Sequence, residues 1–218
     1  MNQKSLFISA VFALLAVFIG GALWYVTSQE KAAEERALAQ RESLIRQHSP
    51  TLGPPHAPVT IVEFLDPACE TCRAFYPLVK EIMAAHPDHV RLVLRYAPFH
   101  QGSDQVVAAL EAARRQGKFW QALEVLLVTQ ADWAPHHQPQ VALTWKHLEK
   151  LGLNMEQLAF DVTDPKITSL IQQDLADAAS LEVSKTPSFF VNGKPLVRFG
   201  AEELKALVKD EVAKTAAR

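Results

Sequence analysis

Apolar positions follow three rhythms along this chain. From Leu6 to Val26 they run for 21 residues without a charge, long enough to cross a hydrocarbon core as a helix. From Ser28 to His48 the chain is rich in Ala, Glu and Arg and holds no Gly or Pro, which predicts a solvated helical stalk of about 30 Å at 1.5 Å per residue. The stretch Ser49-Pro50-Thr51-Leu52-Gly53-Pro54-Pro55-His56-Ala57-Pro58 cannot continue a helix and marks a boundary. Beyond it, strand and helix patterns alternate. Val59 to Leu65 is β-branched and apolar, as a buried strand requires, and Asp66-Pro67 ends it. Phe75, Val79, Ile82 and Met83 recur at helical spacing from Cys72 to Ala85, and Val90 to Tyr96 reads as a second buried strand. Four helices then interrupt the sheet: Ser103 to Gln116 and Lys118 to Thr129, split at Gly117, then Gln140 to Leu151, and Asp164 to Ser180 opened by Asp164-Pro165. Ser188 to Val191 resumes as a strand, Asn192-Gly193 is a two-residue hairpin turn, Lys194 to Arg198 returns, and Glu202 to Lys214 closes as an amphipathic helix.

These rhythms divide the chain into a membrane anchor or signal segment at 1–27, a helical stalk and linker at 28–58, and a domain at 59–218 with a helical insert at about 103–180. With 218 residues, 49% of them hydrophobic, there is enough material for a membrane segment and one domain with a substantial core. The apolar run is longer than the roughly 7–15 residues of a removable signal, so it reads as a retained single-pass anchor. Cleavage after Gly20-Gly21-Ala22, giving a soluble periplasmic protein, is the alternative. Lys31, Arg36, Arg41 and Arg46 follow the span and by count would hold that side in the cytoplasm. Lys and Arg total 22 against 24 acids, with no basic stripe, which argues against a nucleic-acid partner.

The chain has two cysteines, Cys69 and Cys72, too close together to staple a small scaffold. Their place is chemical. A cysteine at the first turn of a helix meets unpaired backbone N–H groups and the helix dipole, which favour the thiolate. Cys69 is therefore the nucleophile. Cys72, three residues on and on the same face, is within disulfide reach and resolves the mixed disulfide that Cys69 forms. A metal reading competes: Cys-x2-Cys, 13 residues and His86-x2-His89 nearly match a zinc finger. The second spacer is one residue short, Pro87 stands between the histidines, and the intervening helix suits a large core. His86 and His89 then read as surface residues at a helix end.

From about Val59 to Lys214 the chain resembles the DsbA-like branch of the thioredoxin superfamily, in its strand, its C-x-x-C, its helical insert and the segment Thr186-Pro187-Ser188-Phe189-Phe190-Val191-Asn192-Gly193-Lys194. The resemblance implies an α/β thioredoxin-like fold with an inserted helical subdomain, here behind an N-terminal transmembrane helix. It implies that Pro187 is the cis-proline facing the disulfide and that Thr186 pairs with substrate backbone. It also implies that Glu63, six residues before Cys69, is the buried acid beneath Cys72 that accepts its proton. Independently, a Glu within Ile61-Val62-Glu63-Phe64-Leu65 calls for explanation, since burial is costly and raises a carboxyl pKa. A solvated strand face is the other reading.

Between the cysteines the family's oxidases resemble Cys-Pro-His-Cys, whereas this chain carries Glu70-Thr71. It loses a histidine that stabilises the thiolate and gains an acid that opposes it. Thr186 before Pro187 looks like the related isomerases. The expected function is a thiol-disulfide oxidoreductase leaning to reductase or isomerase, acting on exported cysteine-containing proteins, recycled by a membrane redox partner and needing no bound cofactor. The alternatives are a dedicated disulfide-forming oxidase, a membrane-tethered chaperone, and a copper-handling protein with the same dithiol. The redox chemistry places the domain on the periplasmic or extracellular side. His100 lies in a loop that can approach the site, but loop histidines are more often merely solvated. Phe119, Trp120, Trp133 and Trp145 fall at core-like positions of the insert.

Overall fold

The computed structural model describes residues 42–216 and, ahead of them, Trp24, Tyr25 and Gln40. The expected membrane span and most of the expected stalk lie outside the described residues. Among the described residues no helix is long and apolar enough to cross a membrane. The chain divides into two compact units, Met1–Glu42 and Ser43–Arg218, and the sheet with its covering helices belongs to the second.

The centre of that unit is β2 (Val59–Leu65), buried at all seven positions because it has a neighbour on each side and packing on both faces. The helix α1 (Glu70–Ala85) carries the chain back to β3 (Val90–Tyr96), which pairs parallel to β2 from Val59↔Val90 to Leu65↔Tyr96. On the other flank β4 (Ser188–Val191) runs antiparallel to β2, and β5 (Lys194–Pro195) forms the edge. The hairpin between them has Asn192 and Gly193 at φ 48° and 83°, the left-handed pair that a two-residue turn of this type requires. The strand expected from Lys194 to Arg198 ends at Pro195, with one further hairpin bond from the Leu196 N–H to the Phe189 carbonyl at 2.9 Å.

The opposite edge departs from the reading of 28–58 as stalk and linker. Thr51–Leu52 forms β1, antiparallel to β3, and Leu94 donates its N–H to the Pro50 carbonyl at 2.9 Å. Gly53, at φ 98°, packs so closely that a Cβ there would lie 3.0 Å from the Val90 carbonyl oxygen. Without this segment β3 would present an open edge, so a proline-rich stretch that cannot be helix serves as its cover.

Between β3 and β4 the insert holds α2 (Ser103–Arg115), α3 (Phe119–Val128), α4 (Gln130–Trp133), α5 (Val141–Leu148), α6 (Met155–Asp161) and α7 (Pro165–Ser180). These are six helices among the described residues, where the periodicity predicts four. The additional two, α4 and α6, have four and seven residues, too few to show a helical period. The insert's Val106, Leu110, Leu123, Leu126 and Trp133 join Ile61, Leu65, Leu92, Val79 and Cys72 in one core, completed by α8 (Ala201–Ala216) through Leu204 and Val208. The other sheet face is smaller: Val62, Phe64, Val93 and Phe190 meet Leu44, Ala178 and Val183.

Candidate active site

The site forms where β2 ends. Asp66, fully buried, organises the turn: its carboxylate accepts the Ala68 N–H at 2.8 Å, the His100 N–H at 2.9 Å, His100 Nδ1 at 2.6 Å and the Ser103 hydroxyl, while its carbonyl accepts the Cys69 N–H at 3.0 Å. This turn delivers Cys69 to the N-cap of α1 with φ −77° and ψ 119°. The position usually holds a side-chain oxygen that accepts an orphan N–H of the first turn. Here sulfur does so, with Cys69 Sγ accepting from the Cys72 backbone N–H at 3.4 Å.

The two thiols are free, both buried, and differ sharply. Cys69 is pulled down from its ordinary 9.0 to about 5, chiefly by hydrogen bonding from the Cys72 side chain. The Thr186 side chain and the backbone N–H groups of Cys72 and Thr71 add to this, and together they outweigh burial. Cys72 is pushed well above the ordinary value by burial first, then by its bond to Cys69 and by the negative charges of Glu63 and Cys69. One sulfur is thus a thiolate near neutral pH and its neighbour a held proton.

Glu63 is 0% exposed, and both its carboxylate oxygens are buried without a hydrogen-bond partner. Side chains alternate along a strand, so Glu63 shares the face of Ile61 and Leu65, toward the core that contains both cysteines. Burial, and secondarily the Cys69 charge, raises its pKa to about 8. Across from α1, the Thr186-Pro187 peptide is cis, and the Cys69 thiol points to the Thr186 carbonyl at 3.3 Å. Cys69, Cys72, Glu63, Thr186 and Pro187 therefore form one cluster. Glu70 and Thr71 are exposed on the first turn of α1. His86 caps the far end of that helix, and its 14 positions from Cys72 amount to about 21 Å of rise, which separates the histidine pair from the cysteines.

Sequence reasoning missed four contributors. His100, set aside as a loop residue, is bound to Asp66 and stacked on His137, ring centroids 4.7 Å apart and 11° from parallel. His137 Nδ1 lies 3.2 Å from the Ala68 carbonyl, and Gln130 donates to the Pro67 and Cys69 carbonyls. An Asp-Pro ahead of a C-x-x-C could have marked Asp66 as more than a strand terminator. Gln130 and His137 left no signal. On the insert side of Cys69, a cavity of about 190 Å³ is lined by Glu70, Arg73, Gln130, Ala134, Pro135 and His136.

Residues 46–210 match the family model described as thioredoxin, and the chain belongs to that family. A thioredoxin-like oxidoreductase from Silicibacter pomeroyi DSS-3 shares 32% identity and a TM-score of 0.69, over 82% of this chain and 98% of its own. Oxidised BdbD from Bacillus subtilis shares 25% with a TM-score of 0.66, over 76% and 93%. The resemblance to the DsbA-like branch holds in the fold: Wolbachia pipientis α-DsbA1, at 16% identity, superposes with a TM-score of 0.69 over 82% of this chain and 98% of its own. Among curated sequences, the Na(+)/H(+) antiporter NhaA 3 of Salinispora tropica is 36% identical over 146 residues, covering 65% of this chain and 21% of the antiporter. The chain spans about a fifth of the length of that relative and of the NhaA of Herminiimonas arsenicoxydans, where the share is 22%.

Proposed function

We propose that this protein is a thiol-disulfide oxidoreductase that exchanges disulfides with exported cysteine-containing proteins through Cys69 and Cys72. The observation that carries the reading is the split between the two thiols, one held near 5 and the other well above its ordinary value. Starting from the Cys69–Cys72 disulfide, a client thiolate attacks Cys69 Sγ. The intramolecular S–S bond breaks, a mixed disulfide forms, and Cys72 leaves with the electron pair and takes a proton. A second client thiolate then attacks the client sulfur of the mixed disulfide, and Cys69 leaves as the stabilised thiolate. The client has lost two electrons to form its disulfide, and the protein has gained them as a dithiol.

Glu63, protonated up to about pH 8, supplies the proton that Cys72 takes. In the reverse direction it accepts that proton when Cys72 resolves a mixed disulfide. The Thr186 carbonyl, 3.3 Å from Cys69 Sγ, lies where an extended client backbone would pair, beside Pro187. Whatever stabilises the Cys69 thiolate stabilises the reduced protein and makes its disulfide the stronger oxidant. Glu70-Thr71 between the cysteines and Thr186 before Pro187 support the reductase or isomerase direction, while the hydrogen bonds at Cys69 support the oxidising one.

An oxidant of clients must pass two electrons onward, which calls for a membrane redox partner. The apolar run Leu6–Val26 and the chemistry of disulfides support an orientation with residues after Val26 outside the cytoplasmic membrane. The sodium–proton exchange of the antiporter relatives forms no part of this reading. The test is refolding of reduced ribonuclease with oxidised glutathione, the disulfide, as terminal oxidant. Wild type should catalyse it and Cys69→Ser should not; equal rates with and without Cys69 would sink the reading. Protease added to spheroplasts should digest the domain, and survival until lysis would reverse the orientation.

A further inference from the structure

Pro67, Ala68 and Cys69 offer three consecutive carbonyl oxygens to the helical insert, and the insert meets each with a side-chain donor. Gln130, at the start of α4, gives its amide nitrogen to the Pro67 carbonyl at 2.7 Å and to the Cys69 carbonyl at 3.0 Å. His137, just beyond α4, meets the Ala68 carbonyl with Nδ1 at 3.2 Å; a carbonyl only accepts, so Nδ1 carries the hydrogen. The partners lie 61 to 69 residues apart in sequence, so no local turn explains these contacts.

The fold accepts two penalties to keep this arrangement. Gln130 is 1% exposed, and its amide oxygen is buried without a partner, which forfeits the hydration of that acceptor. A leucine or methionine would fill the volume without that loss. His136 and His137 both take left-handed backbone, φ 51° and 59°, a region that residues other than glycine adopt at a cost. That turn brings the His137 ring onto both the Ala68 carbonyl and the His100 ring, which Asp66 holds from the other side.

The held loop is the one that aims the sulfur. The Cys69 carbonyl also accepts the Arg73 N–H at 3.2 Å as the first bond of α1, so it has two donors. Fixing the peptide planes on either side of Cys69 fixes its N-cap dihedrals, and those put Sγ on the Cys72 N–H and opposite the Thr186 carbonyl. Donors on the loop carbonyls also offset partial negative charges close to a sulfur that must carry charge itself.

We propose that Gln130 and His137 are positioning residues through which the helical insert, acting on the backbone of Pro67–Cys69, controls the reactivity of Cys69. The inference rests on the disulfide-exchange reading and deepens it: the insert sets how the nucleophile is aimed.

The test is the titration of Cys69 in the reduced full chain, followed by thiolate absorbance and by iodoacetamide alkylation at pH 4, below the wild-type value of about 5, where the rate follows the thiolate fraction. Gln130→Met keeps volume and removes the donor; alkylation should slow by about three- to tenfold, the thiolate lost for half to one pKa unit. His137→Gly relaxes the left-handed backbone while removing the ring, so it should fold readily, and it should slow alkylation by a smaller factor. Leu123→Ala, a cavity in α3 of the same insert, should lower thermal stability and leave the titration unchanged. Wild-type alkylation in both donor variants, or an equal slowing in Leu123→Ala, would overturn the proposal. If the donor variants slow Cys69 but the wild type exchanges no disulfide with glutathione, the positioning role stands and the proposed function falls.

Discussion

Glu63 and Arg95 are buried ionisable groups one position out of register on neighbouring strands, since Glu63 faces Leu94 and Phe64 faces Arg95. Both are 0% exposed, and the alternation of side chains sends them to opposite faces of the sheet. On the smaller face Arg95 is fully answered. It donates to Asp174 at 2.7 Å, to Asp177 at 2.6 Å and to the Ser43 carbonyl, and its guanidinium carbon lies 5.5 Å from the Phe64 ring centre. Asp174 also accepts the Tyr96 N–H and meets His48, and Asp177 takes two bonds from Arg46. Burial would raise the Asp177 carboxyl, but the bonds from Arg46 and Arg95 bring it below its ordinary value. On the larger face Glu63 has no partner and holds its proton instead. A buried ionisable group that is paired ties segments together; one left unpaired stays neutral, and in this molecule it lies on the face that holds both cysteines.

The comparison breaks most easily at Arg95. Arg95→Met should leave Asp174 buried without its guanidinium and Asp177 with Arg46 alone, and destabilise the fold by about 3–5 kcal/mol, read by chemical denaturation. A change below about 1 kcal/mol would mean that pairing on that face does not hold residues 43–50 to the domain. At the other face, Glu63→Gln should slow resolution by Cys72 by about a hundredfold while initial attack by Cys69 stays near wild type. Quenched-flow trapping of the mixed disulfide would separate the steps; equal slowing of both would remove Glu63 from the proton path.

A third expectation concerns pH. The folded protein keeps the Glu63 proton up to about 8, whereas the unfolded chain releases it near 4.5, so this group's stabilisation is full below 4.5 and fades as pH rises through 8. Cys69 works in the opposite sense: its folded value is about 5 against 9.0, so its contribution is full above 9.0 and lost as pH falls through 5. In the reduced wild type the two slopes oppose each other between pH 5 and 8. Reduced Glu63→Gln should therefore gain stability from pH 5 to 8. Cys69→Ser should lose it, though less steeply than Glu63 alone implies, because the Cys69 charge is one cause of the raised Glu63 value. Denaturation at pH 5, 6.5 and 8 measures both, and slopes of the same sign would refute the pairing of these groups. The smallest effect should come from Glu70→Pro with Thr71→His. Both positions are exposed, so the redox potential should become more oxidising by only tens of millivolts, about 30 mV for each pKa unit of Cys69. A glutathione titration at pH 7 that shows several times that shift would return the control of reactivity to the dipeptide.

Much of the larger face was legible before the structure. The cysteine spacing, the apolar strand ahead of it and the Glu inside that strand announced Cys69, Cys72 and Glu63, because each lies within a few residues of the others and local rules apply. The paired face was not legible. Arg95 meets acids 79 and 82 residues away, and nothing in Val90–Tyr96 distinguishes an arginine with partners from one at a sheet edge. His100 was read as solvated for the same reason: a loop histidine acquires meaning only from Asp66, 34 residues earlier.

What the amino-acid order determined by itself is local and periodic. It includes β2 and β3 as buried strands, α1 opening at the C-x-x-C, the Asn192-Gly193 turn and the placing of a cysteine at a helix N-terminus. Hydrophobic period, proline and turn chemistry act over a few residues, so they survive without the fold. What only the tertiary structure decided is which polar groups are answered inside it. That Arg95 has two carboxylates while Glu63 has no partner, that the proline-rich segment covers β3, and that Gln130 and His137 reach back to the loop before α1 all depend on packing between distant segments. Burial makes a polar group's energy hinge on its neighbours, and those neighbours are set by the fold.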